Sequence, residues 1–404
     1  MNWTSDHSIQ YLKSNPMNKK VKIAYCIPSL YYPSGMERVL TLKANYFAEH
    51  LGYDIHIILT DGKGKEPYYK LYPSITTHQL DINYDELYGL SLPKRIHRYW
   101  SKQKLFKKRL ETCLNEIEPD ITISLLRRDI NFINKMKDKS IKLGEIHFNK
   151  SNYREFSDNC LPGIIQRAVK QYWMWQLIRQ VRQLKSFVVL SHEDAAEWTE
   201  LNNVTVIYNP LPFLPEQQSD NTPKQVIAVG RYVPQKGFDR LISAWSIVNK
   251  KHPDWILRIY GDGMREQLQN QIYKLGISPS CILEHSTPDI VDKYCKSSIF
   301  VLSSRYEGFG MVIIEAMACG VPPVSFTCPC GPRDIISDGI NGLLVENGNI
   351  EGLAEKICYL IENENVRREM GRQARMDIER FRIEPIAEQW KTLFESIIEK
   401  NKDL

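Results

Sequence analysis

Two doubly wound α/β units in series are what this chain predicts, and three features of its 404 residues predict them. Short apolar runs of strand length alternate with longer stretches of helical period, the pattern of a parallel sheet covered on both faces. A polar stretch over 216–224, rich in Gln, Ser, Asp and Asn, interrupts that alternation and reads as a linker. Beyond it the alternation restarts. The length leaves room for two domains, each with its own core, and a cleft between them is the expected ligand site.

In the first unit, 22–28 and 54–60 read as short buried strands around a helix over 36–51. The strand type recurs at 121–126 and 186–190. In the second unit it recurs at 226–229, 256–260, 299–303 and 323–326. The expected division is an N-terminal extension over 1–19, a first domain over 20–212 and a second over 213–385.

Composition is that of a globular protein, 43% hydrophobic and 25% charged. There is no apolar run of eighteen residues and no basic-then-apolar leader, so a cytoplasmic protein is expected. The nine cysteines are an odd, scattered set in a chain too large to need staples. Cys26, Cys281, Cys295 and Cys319 stand in apolar contexts and read as buried thiols. Cys328-Pro329-Cys330 is a lone C-x-C without a second pair, so a loop role is favoured over zinc.

Charge is unevenly shared. Residues 1–210 hold 30 Lys and Arg against 22 Asp and Glu, a balance of +8, whereas the remainder holds 23 against 26. This asymmetry points to an anionic surface partner for the first half. Two stretches focus it: 94–109 is basic with interleaved Tyr and Trp, and 164–182 mixes Tyr172, Trp173 and Trp175 with Arg and Lys. Both can lie on an anionic bilayer, and both can equally be solvated helix faces over an apolar stripe.

The most informative stretch is Glu307-Gly308-Phe309-Gly310-Met311-Val312-Ile313-Ile314-Glu315. Gly308 and Gly310 let the chain turn, and the breaker-free run from 311 to 319 predicts a helix ended by Gly320 and Pro322. A helix N-terminus, with bare amides and partial positive charge, therefore stands beside two carboxylates. Amides hold phosphate and carboxylates accept from sugar hydroxyls, so the pattern suits a nucleotide sugar.

This stretch resembles the Glu-x7-Glu motif of retaining glycosyltransferases of family 4 (glycosyl transferases group 1), which have the GT-B fold of two Rossmann-like domains. Three more blocks are similar to that family: 227–239 with Arg231 and Lys236, 330–336 together with 339–345, and 33–39 with Gly35. Together the four span most of the chain. The resemblance implies that a C-terminal helix, 386–404, crosses back to the first domain. It implies Arg231 and Lys236 as donor-diphosphate cations, with Gly35, Gly310, Met311 and Val312 approaching the phosphates. It implies Glu315 on the ribose, Glu307 and Phe309 at the donor sugar, and His147 either touching that sugar or orienting groups at the reaction centre. Relatives often carry two glycines where this chain has Ser34-Gly35, which weakens the case for close backbone contact there. Arg127 and Arg128, after another strand, are candidates for the acceptor.

The activity that the resemblance implies is retaining transfer from a nucleoside-diphosphate sugar, UDP-sugar favoured, with no cofactor and no metal. The acceptor expected is a saccharide or lipid-linked saccharide in bacterial polysaccharide or lipopolysaccharide assembly. The protein would then sit in the cytoplasm, peripherally on the inner face of an anionic membrane through 94–109 and 164–182. Three rivals differ in their marks. A nicotinamide oxidoreductase needs Gly-x-Gly-x-x-Gly after the first strand, and 28–38 holds only Gly35. A nucleic-acid binder accounts for the basic run but not the four blocks, so no nucleic-acid partner is expected. A GT-B epimerase would isomerise the donor without an acceptor. The segment 281–288 is expected as a loop passing the base.

Overall fold

The computed structural model describes residues 20–150, 153 and 163–402; the expected N-terminal extension lies outside them. The first half is a seven-stranded sheet of β1 (Lys22–Ile27), β2 (Asp54–Leu59), β3 (Thr76–Gln79), β4 (Ile121–Ser124), β5 (Ile141–Glu145), β6 (Ser186–Val189) and β7 (Val204–Val206). Its order is β3-β2-β1-β4-β5-β6-β7, and every pairing is parallel. The helices of this half are α1 (Gly35–Glu49), α2 (Leu92–Ile117), α3 (Gly163–Val181) and α4 (His192–Glu197).

The second half repeats the plan with six strands: β8 (Gln225–Val229), β9 (Ile256–Tyr260), β10 (Cys281–Glu284), β11 (Ile299–Leu302), β12 (Pro323–Phe326) and β13 (Leu343–Val345), in the order β10-β9-β8-β11-β12-β13. Around it run α5 (Phe238–Lys251), α6 (Arg265–Lys274), α7 (Ile290–Cys295), α8 (Met311–Ala318), α9 (Pro332–Ile335), α10 (Ile350–Glu362) and α11 (Glu364–Asp377). The last helix, α12 (Ile383–Lys402), packs on the first sheet's side.

Strand periodicity sorts the cores. Along β1, Ile23, Tyr25 and Ile27 enter one core with α1 and α12, and Ala24 and Cys26 enter the opposite one with α2 and α3. A strand buried on both faces reads as a continuous apolar run, which is why β1, β8 and β11 are visible in the sequence. The edge strands are not. Thr76-Thr77-His78-Gln79 is polar and mostly exposed, and only its register with β2 makes it a strand. For the same reason 281–288 is not wholly a loop: its first four residues are β10, paired with β9.

The linker is pinned to the second half. Ser219 donates to the Ser297 carbonyl at 2.6 Å and Asn221 to that of Gly320 at 3.0 Å. In α12, the Phe394 ring meets Phe47 of α1 edge-on at 5.9 Å, and the fully buried Trp390 lies over the Lys43 ammonium. Among the described residues no helix is long and apolar enough to cross a membrane.

Removing a buried indole costs the lost transfer energy plus that of the cavity left behind. Trp390→Ala should therefore destabilise the fold by about 3–5 kcal/mol, seen as a lower urea midpoint with α12 the first element to lose amide protection.

Candidate active site

In an open parallel sheet, ligands bind beyond the carboxyl ends of the strands, where the strand order reverses. Those points lie between β1 and β4 in one sheet and between β8 and β11 in the other. The loops leaving these four strands carry Gly35, Arg127 and Arg128, Arg231 and Lys236, and Glu307 to Val312 respectively. His147 follows β5, next to β4.

The β11 loop is the centre. Glu307 is buried, and its carboxylate accepts from Lys236 Nζ at 2.7 and 3.0 Å and from Ser304 Oγ at 2.6 Å. Arg305 holds the same loop to α5 through a two-pronged bond to Asp239, at 2.8 and 2.7 Å. Two glycines admit close backbone contact. A Cβ at Gly331 (φ +106°) would fall 1.8 Å from the Phe309 carbonyl oxygen, and one at Gly308 would stand 2.7 Å from that of His147. The loop is thus clasped between α9 and the His147 peptide. The Phe309 ring is buried against Tyr208 and Phe381, both at 5.8 Å, so only its backbone is available to a donor. Gly310 caps α8, leaving the first-turn amides of Met311 and Val312 at the loop's end.

Glu315, one turn into α8, is also buried, and burial pushes its carboxyl above the usual range against the pull of Arg38. Arg38 comes from the first turn of α1, and its Nη1 stands 3.0 Å from Glu315 Oε1; the Tyr294 hydroxyl donates to Oε2 at 3.4 Å. Gly35 itself is exposed at the start of α1, with open space where a Cβ would stand. Arg231 is exposed, and among the described residues its side chain has no hydrogen-bond or ion-pair partner.

On the other wall, Arg127 bridges the Gly35 and His147 loops: its guanidinium is 3.6 Å from Met36 Sδ and lies 5.4 Å from the Phe148 ring centre. It reaches solvent, yet burial lowers its pKa, as expected of a cation low in a cleft. Arg128 lies over Tyr84 and 3.9 Å from Asp61. The His147 imidazole is only 6% exposed, with Nε2 3.1 Å from Glu145 Oε1.

Several contributors escape a reading of the sequence. Arg38 sits in the Gly35 block, but nothing local pairs it with Glu315. Asp334 of α9 accepts from the His192 and Glu193 amides at 2.7 and 3.2 Å, capping α4 from the other half of the molecule. Asn149 donates to Cys330 Sγ at 3.0 Å, so the C-x-C segment is part of this seam, and burial pushes the Cys328 and Cys330 thiols far up. Glu145 stands two residues before His147, and that same-face spacing is the signal that could have found it. The exposed Ile96 and Trp100 of α2 and Tyr172 and Trp175 of α3 lie among the basic residues of 94–109 and 164–182.

Residues 213–377 match the family model described as glycosyl transferases group 1. Over 92% of its length the chain is 29% identical to an uncharacterized glycosyltransferase of Haemophilus influenzae, covering 99% of that protein. It is 29% identical to the poly(ribitol-phosphate) alpha-N-acetylglucosaminyltransferase of Staphylococcus aureus, over 73% of this chain and 60% of that one. The crystal structure of a mutant of S. aureus TarM in complex with fondaparinux, alpha-GlcNAc-glycerol and UDP superposes with a TM-score of 0.72 at 19% identity, covering 93% of this chain and 99% of that one. The two-sheet architecture is the GT-B fold.

Asp194 of α4, buried beside Cys330, makes this seam sensitive to pH. Burial, then Glu197, push its carboxyl from 3.8 up to about 7. Between those values the folded chain holds a proton that the unfolded chain has released, so stability falls as pH rises from about 4 to 7. Asp194→Asn should flatten that fall, on the order of 4 kcal/mol, in urea midpoints measured across the range.

Proposed function

This chain is a glycosyltransferase, belonging to the glycosyl transferases group 1 family through residues 213–377, and from that premise we propose retaining, metal-independent transfer from a UDP-sugar. One observation carries the reading. The two acids of the Glu307–Glu315 stretch flank the α8 N-terminus at a switch point, with Lys236 on one and Arg38 on the other.

Breaking the anomeric bond leaves a diphosphate whose charge must be met as it develops. Arg231 and Lys236 supply it, the first through a planar fork and the second as a point charge, so the side chains do a cation's work. The Gly310, Met311 and Val312 backbone offers amides to the same phosphates, with Gly35 opposite. Glu315 grips the ribose by accepting from two adjacent hydroxyls, exchanging them for Arg38. Glu307 faces the donor sugar with its charge fixed by Lys236 and Ser304. His147 completes the reaction centre, and Arg127 and Arg128 take the acceptor.

The acceptor is a saccharide or polyol-phosphate chain, and the process is polysaccharide or teichoic acid assembly. The S. aureus relative named for poly(ribitol-phosphate) supports this, as the UDP of the TarM complex supports the base. Lipid linkage of that acceptor is part of the same proposal. Trp100 and Ile96, exposed among the cations of α2, would lie on anionic lipid at the cytoplasmic face.

Thermal-shift titration with UDP, GDP and ADP, with and without chelator, tests the donor half. UDP at a hundredfold excess over its Kd should stabilise by about 2.7 kcal/mol, chelator or not. Arg231→Ala should leave the midpoint of the protein alone unchanged, since the side chain is exposed, and weaken UDP binding about tenfold or more. A well-folded protein that none of the three nucleotides stabilises would sink the proposal. So would conversion of UDP-sugar to an isomer without an acceptor.

A further inference from the structure

Behind the cleft wall lies a buried charge pair that the fold alone does not need. Lys43, on the inner face of α1, is 1% exposed, and Glu145, at the end of β5, is fully buried. Lys43 Nζ bonds to Glu145 Oε1, and the Trp390 ring of α12 covers the ammonium at 4.4 Å. Taking both charges out of water is costly, and a shape-matched apolar pair commonly holds a fold as well or better. Burial works against the Glu145 charge, but Lys43 and His147 outweigh it and hold the carboxyl down at about 2, so it is ionised at neutral pH.

The pair has a neighbour with an open valence. His147 Nε2 is 3.1 Å from Glu145 Oε1, off the straight line of a hydrogen bond, and it is buried without another partner. Two lone pairs repel at that distance, so Nε2 carries a hydrogen, and in a neutral ring the lone pair is then left on Nδ1. Tyr25 of β1 also faces Glu145, and among the described residues its buried hydroxyl has no hydrogen-bond partner. On its other side, the His147 carbonyl lies against Gly308 of the Glu307 loop.

We propose that the Lys43–Glu145 pair, sealed by Trp390, is a positioning device that holds the His147 ring in one orientation and in its Nε2-protonated tautomer. It rests on the reading of His147 as a residue of the transfer site. The returning helix α12 then acts on the site, through the ammonium it covers.

Lys43→Met with Glu145→Met removes both charges at similar volume and leaves no charge stranded, so this variant folds. In long-range 1H–15N spectra of the histidine-labelled full chain, wild-type His147 should show the Nε2-protonated pattern, and the double variant an average of two tautomers. An identical pattern in both overturns the proposal. Release of UDP from UDP-N-acetylglucosamine or UDP-glucose gives the kinetic arm. The double variant should lose about tenfold or more in kcat with donor KM within about twofold, and Lys43→Met with Glu145→Gln, which restores an acceptor oxygen, should recover part of it. On a His147→Ala background the charge removal should cost less than about twofold further. A full additional loss there would mean that the pair acts on the fold and not through His147. A double variant with wild-type kcat beside an impaired His147→Ala sinks the pair's role alone. An unimpaired His147→Ala sinks the catalytic reading of His147, and with it any catalytic use of the pair.

Discussion

The contact between Gly308 and the carbonyl of His147 is the constraint on which the rest of the site depends. A Cβ at Gly308 would stand 2.7 Å from that oxygen, closer than side-chain carbons come. Only a bare α-carbon lets the β11 loop rest on the first sheet's wall, and that rest brings the carboxyl ends of the two sheets face to face. Gly331 does the same from behind, where a Cβ would meet the Phe309 carbonyl. The loop bearing Glu307 is therefore held on both sides by backbone, whose position varies less than that of a side chain.

Once these ends face each other, charges pair across the gap. Arg38 reaches Glu315, Arg333 reaches Glu193 at 2.5 Å, and Asp334 caps α4. These pairs are not equal. The Arg333–Glu193 pair is largely exposed on the arginine side and is worth little in water. Glu315 is buried, and its raised pKa records a desolvation cost that Arg38 only partly offsets. A buried carboxylate whose charge is only partly compensated is suited to accept from a ligand's hydroxyls. Glu307 stands at the other extreme, with a lysine and a serine on the same oxygen pair. That arrangement fixes both the charge and the position of the carboxylate.

The helix that ends the chain joins these themes. Its apolar face, with Ile386, Trp390, Phe394 and Ile397, enters the same core as β1 and α1, so α12 closes on the first sheet. Trp390 covers Lys43, Lys43 neutralises Glu145, and Glu145 faces His147. Core packing and site geometry are continuous here, and a ring placed for burial also excludes water from an ion pair.

Local sequence determined everything that periodicity and composition can report. The doubly buried strands, the helix opening at Met311, the glycines of its loop and the positions of Arg231, Lys236, Glu307 and Glu315 beyond strand ends were all legible, because each depends on residues within a few positions. The GT-B class rested on two such alternations around a polar linker and on the four motif blocks they carry. What the tertiary structure alone decided lies between distant residues. Arg38 and Glu315 are 277 positions apart, Lys43 and Glu145 are 102 apart, and Asp334 caps a helix 142 positions earlier. The polar edge strand β3 exists only because β2 offers it a register. Hydrophobic period states which face of a segment is buried, but not which segment covers it. Pairing between distant charges is set by how the sheets meet, and that depends on all the chain at once.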